Sequence, residues 1–128
     1  MIASAIYSIL SNDSNITSVV GTRIYPDVLP MGVDQPAIIY NLSDSGFLET
    51  KTEAAQTNHE LQILIGNAVY DQVNSLSKTI RTALFRKTGT FENVKIQRFT
   101  YMGAEEKGWN EDLQLHMKEL KFEIIENL

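Results

Sequence analysis

The carboxylates that could do acid–base chemistry are concentrated in one acidic segment, residues 103–112. Two adjacent pairs flank its tryptophan: Glu105 and Glu106 precede Trp109, and Glu111 and Asp112 follow it. A glycosidase needs two carboxylates across a cleft and further aromatic side chains that stack on sugars, whereas this chain has a single tryptophan. We therefore expect a solvated acidic loop. We add the hypothesis that its tryptophan docks another protein, because tryptophan is enriched at interface hot spots.

The other chemically versatile side chains form no recognisable site. His59 and His116 stand alone on predicted strands and lack the HxH or HExxH spacing of a zinc site, so we expect partly exposed strand residues. Ser45 precedes Gly46 but lacks the first glycine of the GxSxG turn of a serine hydrolase, and a turn residue is expected instead. The glycine-rich phosphate-binding motifs do not occur. No catalytic, metal-binding or cofactor-binding residue is predicted.

The charge of the chain disfavours a nucleic-acid-binding protein. Four cations, Lys78, Arg81, Arg86 and Lys87, cluster along and after a predicted helix, but no aromatic residues interleave with them in the manner of a nucleic-acid groove. The 11 Lys and Arg residues are outnumbered by 16 Asp and Glu residues, which gives a net charge of −5 and a pI near 4.9. DNA phosphates would be repelled. We expect these cations to be solvated or to form salt bridges between subunits.

Composition and length predict one folded domain spanning residues 1–128. A hydrophobic fraction of 43% with 21% charged residues excludes a disordered tail. The absence of cysteine excludes a disulfide framework, a thiolate nucleophile and cysteine-based zinc sites. The apolar residues 2–10 are short and lack a basic flank and a cleavage site, so no signal peptide is expected. No apolar stretch approaches the roughly 20 residues of a membrane span, and we expect a soluble protein that begins at its own initiator methionine.

The first third of the chain predicts two short helices and a connector. An apolar stripe at helical spacing predicts a helix over residues 1–11. Residues 12–15 favour caps and turns, and a short helix is expected to begin at Ser14 or Asn15 and to end at Gly21. Residues 22–36 contain every proline of the chain, so an extended connector is expected there.

The middle of the chain predicts two strands and the main helix. Residues 36–42 are a β-branched and aromatic run without alternation, as expected for a strand covered on both faces. Residues 44–46 predict a turn or the start of a long hairpin loop. Residues 47–58 are polar and predict the exposed arms of a hairpin, followed by a buried strand over 59–66. Asn67 is the expected N-cap of a core helix over 69–85, with Arg86 and Lys87 in its last turn and Gly89 as its stop.

The last third predicts two strands around the acidic loop. Residues 91–102 alternate with one change of phase, which a bulge near Gln97 and Arg98 would explain. Residues 113–125 fit either a helix or two strand halves joined by a phase slip, and we favour the strand because alternating positions outnumber helical ones. The expected fold is α+β: a mostly antiparallel sheet of about four to five strands with one long and one or two short helices on one face.

The order of these elements resembles the small tail-completion proteins, or tail terminators, of tailed bacteriophages. The run V-G-T-R-I-Y-P at residues 20–26, then Pro30, then Q-P-A-I-I-Y at residues 35–40 is similar to the "VGxRIYP" turn and "lPyivY" strand of that family. Residues 61–65, 70–84 and 116–124 occupy the places of its middle strand, long helix and closing strand. One departure is the segment 66–68, which intervenes before the helix.

The resemblance implies a non-enzymatic protein of the virion, located at the head–tail junction and assembled in the host cytoplasm. Such a protein forms a ring, a hexamer, on the head-proximal end of the tail tube, ends tube polymerisation and contacts the head-completion proteins, while DNA passes without specific binding. Its partners are further copies of itself, the tail tube protein and the head-completion or stopper protein, with no membrane and no cofactor. The alternatives are a head-completion or connector protein, or a small hydrolase or ligand-binding domain that uses Glu105, Glu106, Glu111 and His116.

Two sets of residues follow from these considerations. The two polar segments, 47–58 and 103–112, are expected to face the tube, the neighbouring subunit or the lumen. Their hypothetical interface residues are Glu49, Lys51, Glu53, Glu105, Glu106, Trp109 and Glu111. The motif residues are expected to be architectural, with Arg23 paired to a carboxylate and Tyr40 packed in the core. They are Gly21, Arg23, Tyr25, Pro26, Pro36 and Tyr40.

Overall fold

The computed structural model describes residues 2–29, 32, 36–49 and 54–127, and for 44–49 and 54–55 it describes the backbone only. Three residues named in the sequence analysis, Pro30, Lys51 and Glu53, lie outside the described residues. Three helices and six strands are formed within them. The helices are α1 (Ile2–Ser11), α2 (Ser14–Val20) and α3 (Tyr70–Leu84), and the strands are β1 (Ile24–Pro26), β2 (Ala37–Glu49), β3 (Ala54–Asn67), β4 (Gly89–Phe91), β5 (Val94–Asn110) and β6 (Leu115–Asn127).

The two N-terminal helices form where the apolar spacing and the capping residues predict them. The apolar stripe of α1 is buried, with Ile6 and Leu10 fully inaccessible to solvent. Asp13 caps α2: its Oδ1 accepts hydrogen bonds from the backbone N–H groups of Asn15 and Ile16 at 2.9 and 3.2 Å. Gly21 ends α2 with a φ of 60°, a value that glycine adopts without a steric cost.

The core helix α3 confirms the predicted apolar face but differs from the prediction at both ends. Its buried residues include Val73, Leu76 and Ile80. The N-cap position is Val69, which makes no side-chain cap bond, so the prediction of Asn67 as the cap is wrong. The Asn67 side chain instead accepts a hydrogen bond from the Val69 N–H at 3.2 Å. At the other end, the helix stops at Leu84, and Gly89 begins β4.

The six strands form one mixed sheet in the order β1-β2-β3-β6-β5-β4. Four of the five strand pairs are antiparallel, and β1 pairs with β2 in parallel. The helices cover one face: α3 lies over β3 and β6, and α1 contacts β1 and β4. The core lies between them and is built from the apolar side of the central strands. Its fully buried members include Leu61, Ile63, Leu120, Phe122 and Ile124.

The sheet has six strands, where four to five were expected, for two local reasons. The proline-rich connector contains the short strand β1, because Pro26 lies at a strand end where a missing N–H costs little. The strand predicted over 91–102 is divided into β4 and β5 by a tight turn at Glu92 and Asn93, whose φ angles are 50° and 64°. The α+β class and the mostly antiparallel pairing are confirmed.

Two segments that were predicted to lie between strands belong to strands in the structure. The turn expected at 44–46 is wrong: β2 continues to Glu49, with a register shift between Asp44 and Gly46. The loop expected at 103–112 is also wrong, because β5 continues to Asn110 and only residues 111–114 turn. Gly103 and Gly108 sit at register shifts of β5 with φ angles of 119° and 77°. A glycine that suggests a turn in the sequence serves here as a bulge residue.

The predicted bulge near Gln97 is confirmed by the register shift between Ile96 and Arg98. The prediction of a C-terminal strand is confirmed as well, since β6 lies in the centre of the sheet between β3 and β5. No phase slip joins its two halves, because the β3–β6 register is continuous. Instead, the apolar side chains of β6 switch from one face of the sheet to the other along the strand. Leu115 and Met117, near its start, lie over Gly66 on the side opposite the helices.

Candidate assembly surface

The hypothetical interface residues that the structure describes are spread along β5 and its turn. Glu105, Glu106 and Trp109 belong to β5, and Glu111 begins the turn that leads into β6. Glu49 is the last residue of β2, at the far end of the β2–β3 hairpin. The structure therefore brings the C-terminal members of the set together and leaves Glu49 on a different strand.

On the helix-covered face, the end of β5 contacts the start of α3. The Tyr70 hydroxyl donates a hydrogen bond to the Glu106 carboxylate. The His116 ring lies between two aromatic rings, with its centroid 5.5 Å from that of Tyr70 and 4.8 Å from that of Trp109, both edge to face. Trp109 and Tyr70 nevertheless keep 42% and 45% of their surface exposed. This cluster therefore fixes two aromatic side chains in place while leaving them accessible to another molecule.

On the opposite face, Glu105 belongs to an ion-pair network. Lys107 Nζ lies 3.2 Å from Glu105 and 4.0 Å from Glu119, and Lys121 Nζ lies 3.5 Å from Glu119. Only 7% of the surface of Glu119 is exposed, and removing its charge from water is unfavourable. The two lysines offset that cost. The adjacent residues Glu105 and Glu106 therefore point to opposite faces of the sheet and cannot act on one substrate as a carboxylate pair.

Two residues of the hydrolase alternative, Glu106 and His116, line a small cavity in the described part of the chain. Glu106 and His116 line a cavity of about 20 Å³ together with Tyr70 and Lys118. Ligand sites typically enclose several hundred cubic ångströms, so this space is too small for a substrate. Within the described part of the chain, no three His, Asp or Glu side chains are placed to hold a metal ion.

The residues of the N-terminal motif hold the connector against the sheet. Arg23 donates from Nε to the Pro36 carbonyl oxygen at 2.8 Å and from Nη2 to the Val19 carbonyl oxygen at 3.3 Å. These backbone partners take the place of the carboxylate that was expected. Tyr25 and Pro26 belong to β1, and Tyr40 is buried in the core. Burial raises the pKa of the Tyr40 hydroxyl above its ordinary value, and the nearby Tyr7 hydroxyl raises it further.

Three of the four clustered cations lie over aromatic rings. The Arg81 guanidinium is 4.2 Å from the Tyr101 ring centroid, Arg86 is 5.3 Å from that of Phe85, and the Lys87 amine is 5.8 Å from that of Phe91. Phe85 is adjacent to Arg86 and Phe91 is four residues from Lys87, so the expectation that no aromatic residues interleave with these cations is wrong. The Arg81 pair has no signal in the sequence, since Tyr101 lies on β5, far along the chain. The stacking holds Arg81 against the outer strand of the sheet.

A further feature that the sequence did not indicate is a set of exposed apolar side chains on β5, in the turn after it and at the two ends of α3. Six of the nine large, exposed hydrophobic side chains of the described residues lie on β5, in its turn or at the ends of α3. They are Val69, Tyr70, Phe85, Met102, Trp109 and Leu113. Of these six, only Met102 and Trp109 lie on β5 itself, and scattered exposed hydrophobic residues are normal. The local feature that favours a protein contact is the pair of exposed rings, Tyr70 and Trp109, in the aromatic cluster. Among the described residues, no helix is long and apolar enough to cross a membrane.

The described residues form a small α+β domain with an aromatic cluster that stays accessible to another molecule. Residues 4–125 match the family model described as tail completion protein gp17. The match spans nearly the whole chain, so the chain belongs to this family. It is a structural protein of bacteriophage tail completion and virion assembly. The family resemblance predicted from the sequence is thereby confirmed.

Solved structures share the fold. A chain in the virion of the native gene transfer agent particle is 18% identical and superposes with a TM-score of 0.77, over 97% of this chain and 92% of that one. A second structure is 6% identical with a TM-score of 0.69, over 99% and 94% of the two chains. At these identities the likeness shows a common fold. No curated protein matches the chain significantly.

Proposed function

We propose that copies of this chain form a closed ring, a hexamer, on the head-proximal end of the tail tube. The ring ends tube polymerisation and forms the joint to the head-completion proteins, and the genome passes through its centre. The chain itself performs no catalysis. The observation that carries the proposal is the family match over residues 4–125.

The fold and charge support this role. A ring requires a heterologous interface, in which two different surfaces of each copy meet and the rotation closes on itself. The exposed strand β5, with its aromatic cluster, is one such surface. The net charge of −5 suits a conduit, because phosphates pass an acidic lumen without binding to it. The similar chain of the gene transfer agent comes from the virion of that particle.

The surfaces predicted from the sequence become more specific in this proposal. The turn at 111–114 and the far end of the β2–β3 hairpin lie at opposite ends of the strands, since Asn110 pairs with Leu115 and Glu49 pairs with Ala54. One end of the sheet can therefore contact the tail tube while the other contacts the head-completion proteins. Trp109 lies near the first of these ends.

The experiment is to add the purified protein to purified tail tubes and to a polymerisation reaction of the tube protein. We expect rings in negative-stain images, labelled protein at one end of each tube, and an arrest of tube growth. A Trp109→Ala variant is expected to cap tubes at least tenfold less well, because a central exposed tryptophan contributes about 2 kcal/mol or more to an interface. Val19→Ala, an exposed apolar site on α2, is the matched control.

Two results would count against the proposal. A stable monomer that ignores tube ends in every condition would rule out the capping role. Binding to head-completion proteins without any effect on tubes would favour the alternative of a head-completion or connector protein. Wild-type affinity of the Trp109→Ala variant, with unchanged circular dichroism, would remove Trp109 from the interface and leave the capping role intact.

A further inference from the structure

The outer strands of the sheet are covered over only part of their length. β4 pairs with β5 from Val94 to Ile96, and the described residues include no strand that pairs with the outer side of residues 97–110. β1 pairs with β2 from Ile38 to Tyr40, and Asp27 donates one further backbone bond to the Tyr40 carbonyl. Beyond that point, no described strand lies along the outer side of residues 41–49.

Among the described residues, both edges lack proline and a covering strand, which are two of the usual protections against pairing. An open strand edge presents free N–H and C=O groups, and proteins commonly block it with proline, lysine or a covering element. Residues 97–110 contain no proline and a single lysine, Lys107, and residues 41–49 contain neither residue type. The Lys107 amine is engaged with Glu105 and Glu119 on the face of the sheet. The edges are therefore suited to accept another strand.

We propose that neighbouring copies of this chain join edge to edge, with the 97–110 edge of β5 pairing with the 41–49 edge of β2 in the next copy. This inference rests on the ring proposed above and identifies the contact that closes it. It assigns the backbone edge of β5 to the subunit–subunit interface, whereas the Trp109 side chain, which contacts His116 on the helix-covered face, stays available to the tube.

The polarity of the strands fits such a contact. β2, β3, β6 and β5 are successively antiparallel, so β5 runs opposite to β2. Copies related by rotation about an axis along the strands keep the same direction, and β5 of one copy then meets β2 of the next in antiparallel orientation. The two open stretches lie toward opposite ends of the strands, so the pairing requires a stagger between copies, as closed sheets have.

Register shifts make the contact selective. β5 departs from regular pairing at Ile96/Arg98, at Tyr101/Gly103 and at Glu106/Gly108, and β2 departs at Asp44/Gly46 and at Leu48/Glu49. A bulged edge pairs poorly with an arbitrary regular strand, which limits aggregation. Met102 lies at one of these shifts with 59% of its surface exposed, and it is placed to pack against the neighbouring copy.

The test uses the absence of cysteine from the chain, since any thiol is then an introduced one. One full-length variant has Met102→Cys on β5, and another has Ser43→Cys on β2, an exposed position. The two are mixed, assembled and treated with a short bis-maleimide. We expect the mixed covalent dimer, β5 to β2, at more than ten times the yield of either self-linked dimer. Ser75→Cys, exposed on α3, is the control and is expected to give background linkage.

Hydrogen exchange of the unmodified protein gives an independent measurement. We expect the amides of 97–110 and 41–49 to exchange more slowly in assembled than in dilute protein, while the centre of α3 is unchanged. Rings without the mixed cross-link and without this protection would overturn the edge contact and leave the ring intact. A product linked only between two copies of β5 would also overturn it, in favour of a two-fold dimer. Failure to form any ring would overturn the proposed function itself.

Discussion

At the scale of single residues, the buried hydroxyl of Tyr40 links stability to pH. Its pKa is raised above 10.0, first by burial and then by the nearby Tyr7 hydroxyl. The folded chain therefore retains this proton to a higher pH than the unfolded chain does. The stability associated with Tyr40 is fully present below about pH 10 and is lost as the pH rises through the folded-state pKa.

The prediction concerns the Tyr40→Phe variant. We expect its free energy of unfolding to fall less than that of the wild type between about pH 9 and about pH 11, because phenylalanine has no proton to lose. Urea unfolding followed by circular dichroism at each pH measures this difference. Tyr7→Phe is the companion variant. It should remove only the smaller contribution to the raised pKa of Tyr40, the one that comes from the Tyr7 hydroxyl. If the free energy of unfolding fell equally with pH in the wild type and in Tyr40→Phe, the assignment of this pH dependence to Tyr40 would be contradicted.

At the scale of elements, α3 is the main cover of the sheet. It packs on β3 and β6 through one apolar stripe, and its exposed Arg81 contacts Tyr101 of β5. The helix therefore contributes to stability through its buried stripe. The same helix also positions Tyr70 beside the aromatic cluster.

A truncation in this stripe is expected to be costly. Leu76→Ala should lower the free energy of unfolding by about 2–5 kcal/mol, because it leaves a cavity between α3 and the sheet. Lys78→Ala, two residues later on the exposed side of the same helix, should change it by less than about 0.5 kcal/mol. Chemical denaturation of both variants tests the expectation. Similar losses for the two would mean that α3 is not held by its apolar stripe.

At the scale of the whole molecule, the acidic balance determines how the protein meets DNA. The net charge of −5 includes cations that are already occupied, three of them over aromatic rings and two in the network around Glu119. The other six of the 11 Lys and Arg residues are outnumbered by the 16 Asp and Glu residues, so no net positive charge is left to neutralise phosphates. A protein that surrounds a passing genome is expected to gain from this, because each phosphate contact would slow transit.

The corresponding prediction is an absence of binding to duplex DNA. In fluorescence anisotropy at about 150 mM salt, the assembled protein should not bind a labelled duplex at micromolar concentration. A basic DNA-binding protein of similar size serves as the positive control. Affinity that rises steeply as salt is lowered would contradict the expectation and would indicate a cationic surface created by assembly.

Much of the fold could be predicted because local chemistry decides it. The apolar stripe of α1, the break before Ser14 and the buried face of α3 follow from helical spacing and turn-forming residues, which act within a few positions along the chain. The family resemblance followed from short motifs in a fixed order. The alternating residues of β6 likewise favoured a strand over a helix, as the structure confirms.

Only the tertiary structure decided the backbone role of the two glycines in the acidic segment and the faces of the sheet to which its two adjacent glutamates, Glu105 and Glu106, point. Gly103 and Gly108 predict a loop by themselves, and they become bulges because β6 supplies a partner for all of β5. That same pairing turns Glu105 and Glu106 to opposite faces and brings Trp109 to His116. The pairing of β6 with β3, far apart along the chain, has no local signature. The sequence therefore determined the elements and the family, and the sheet determined which edges remain open.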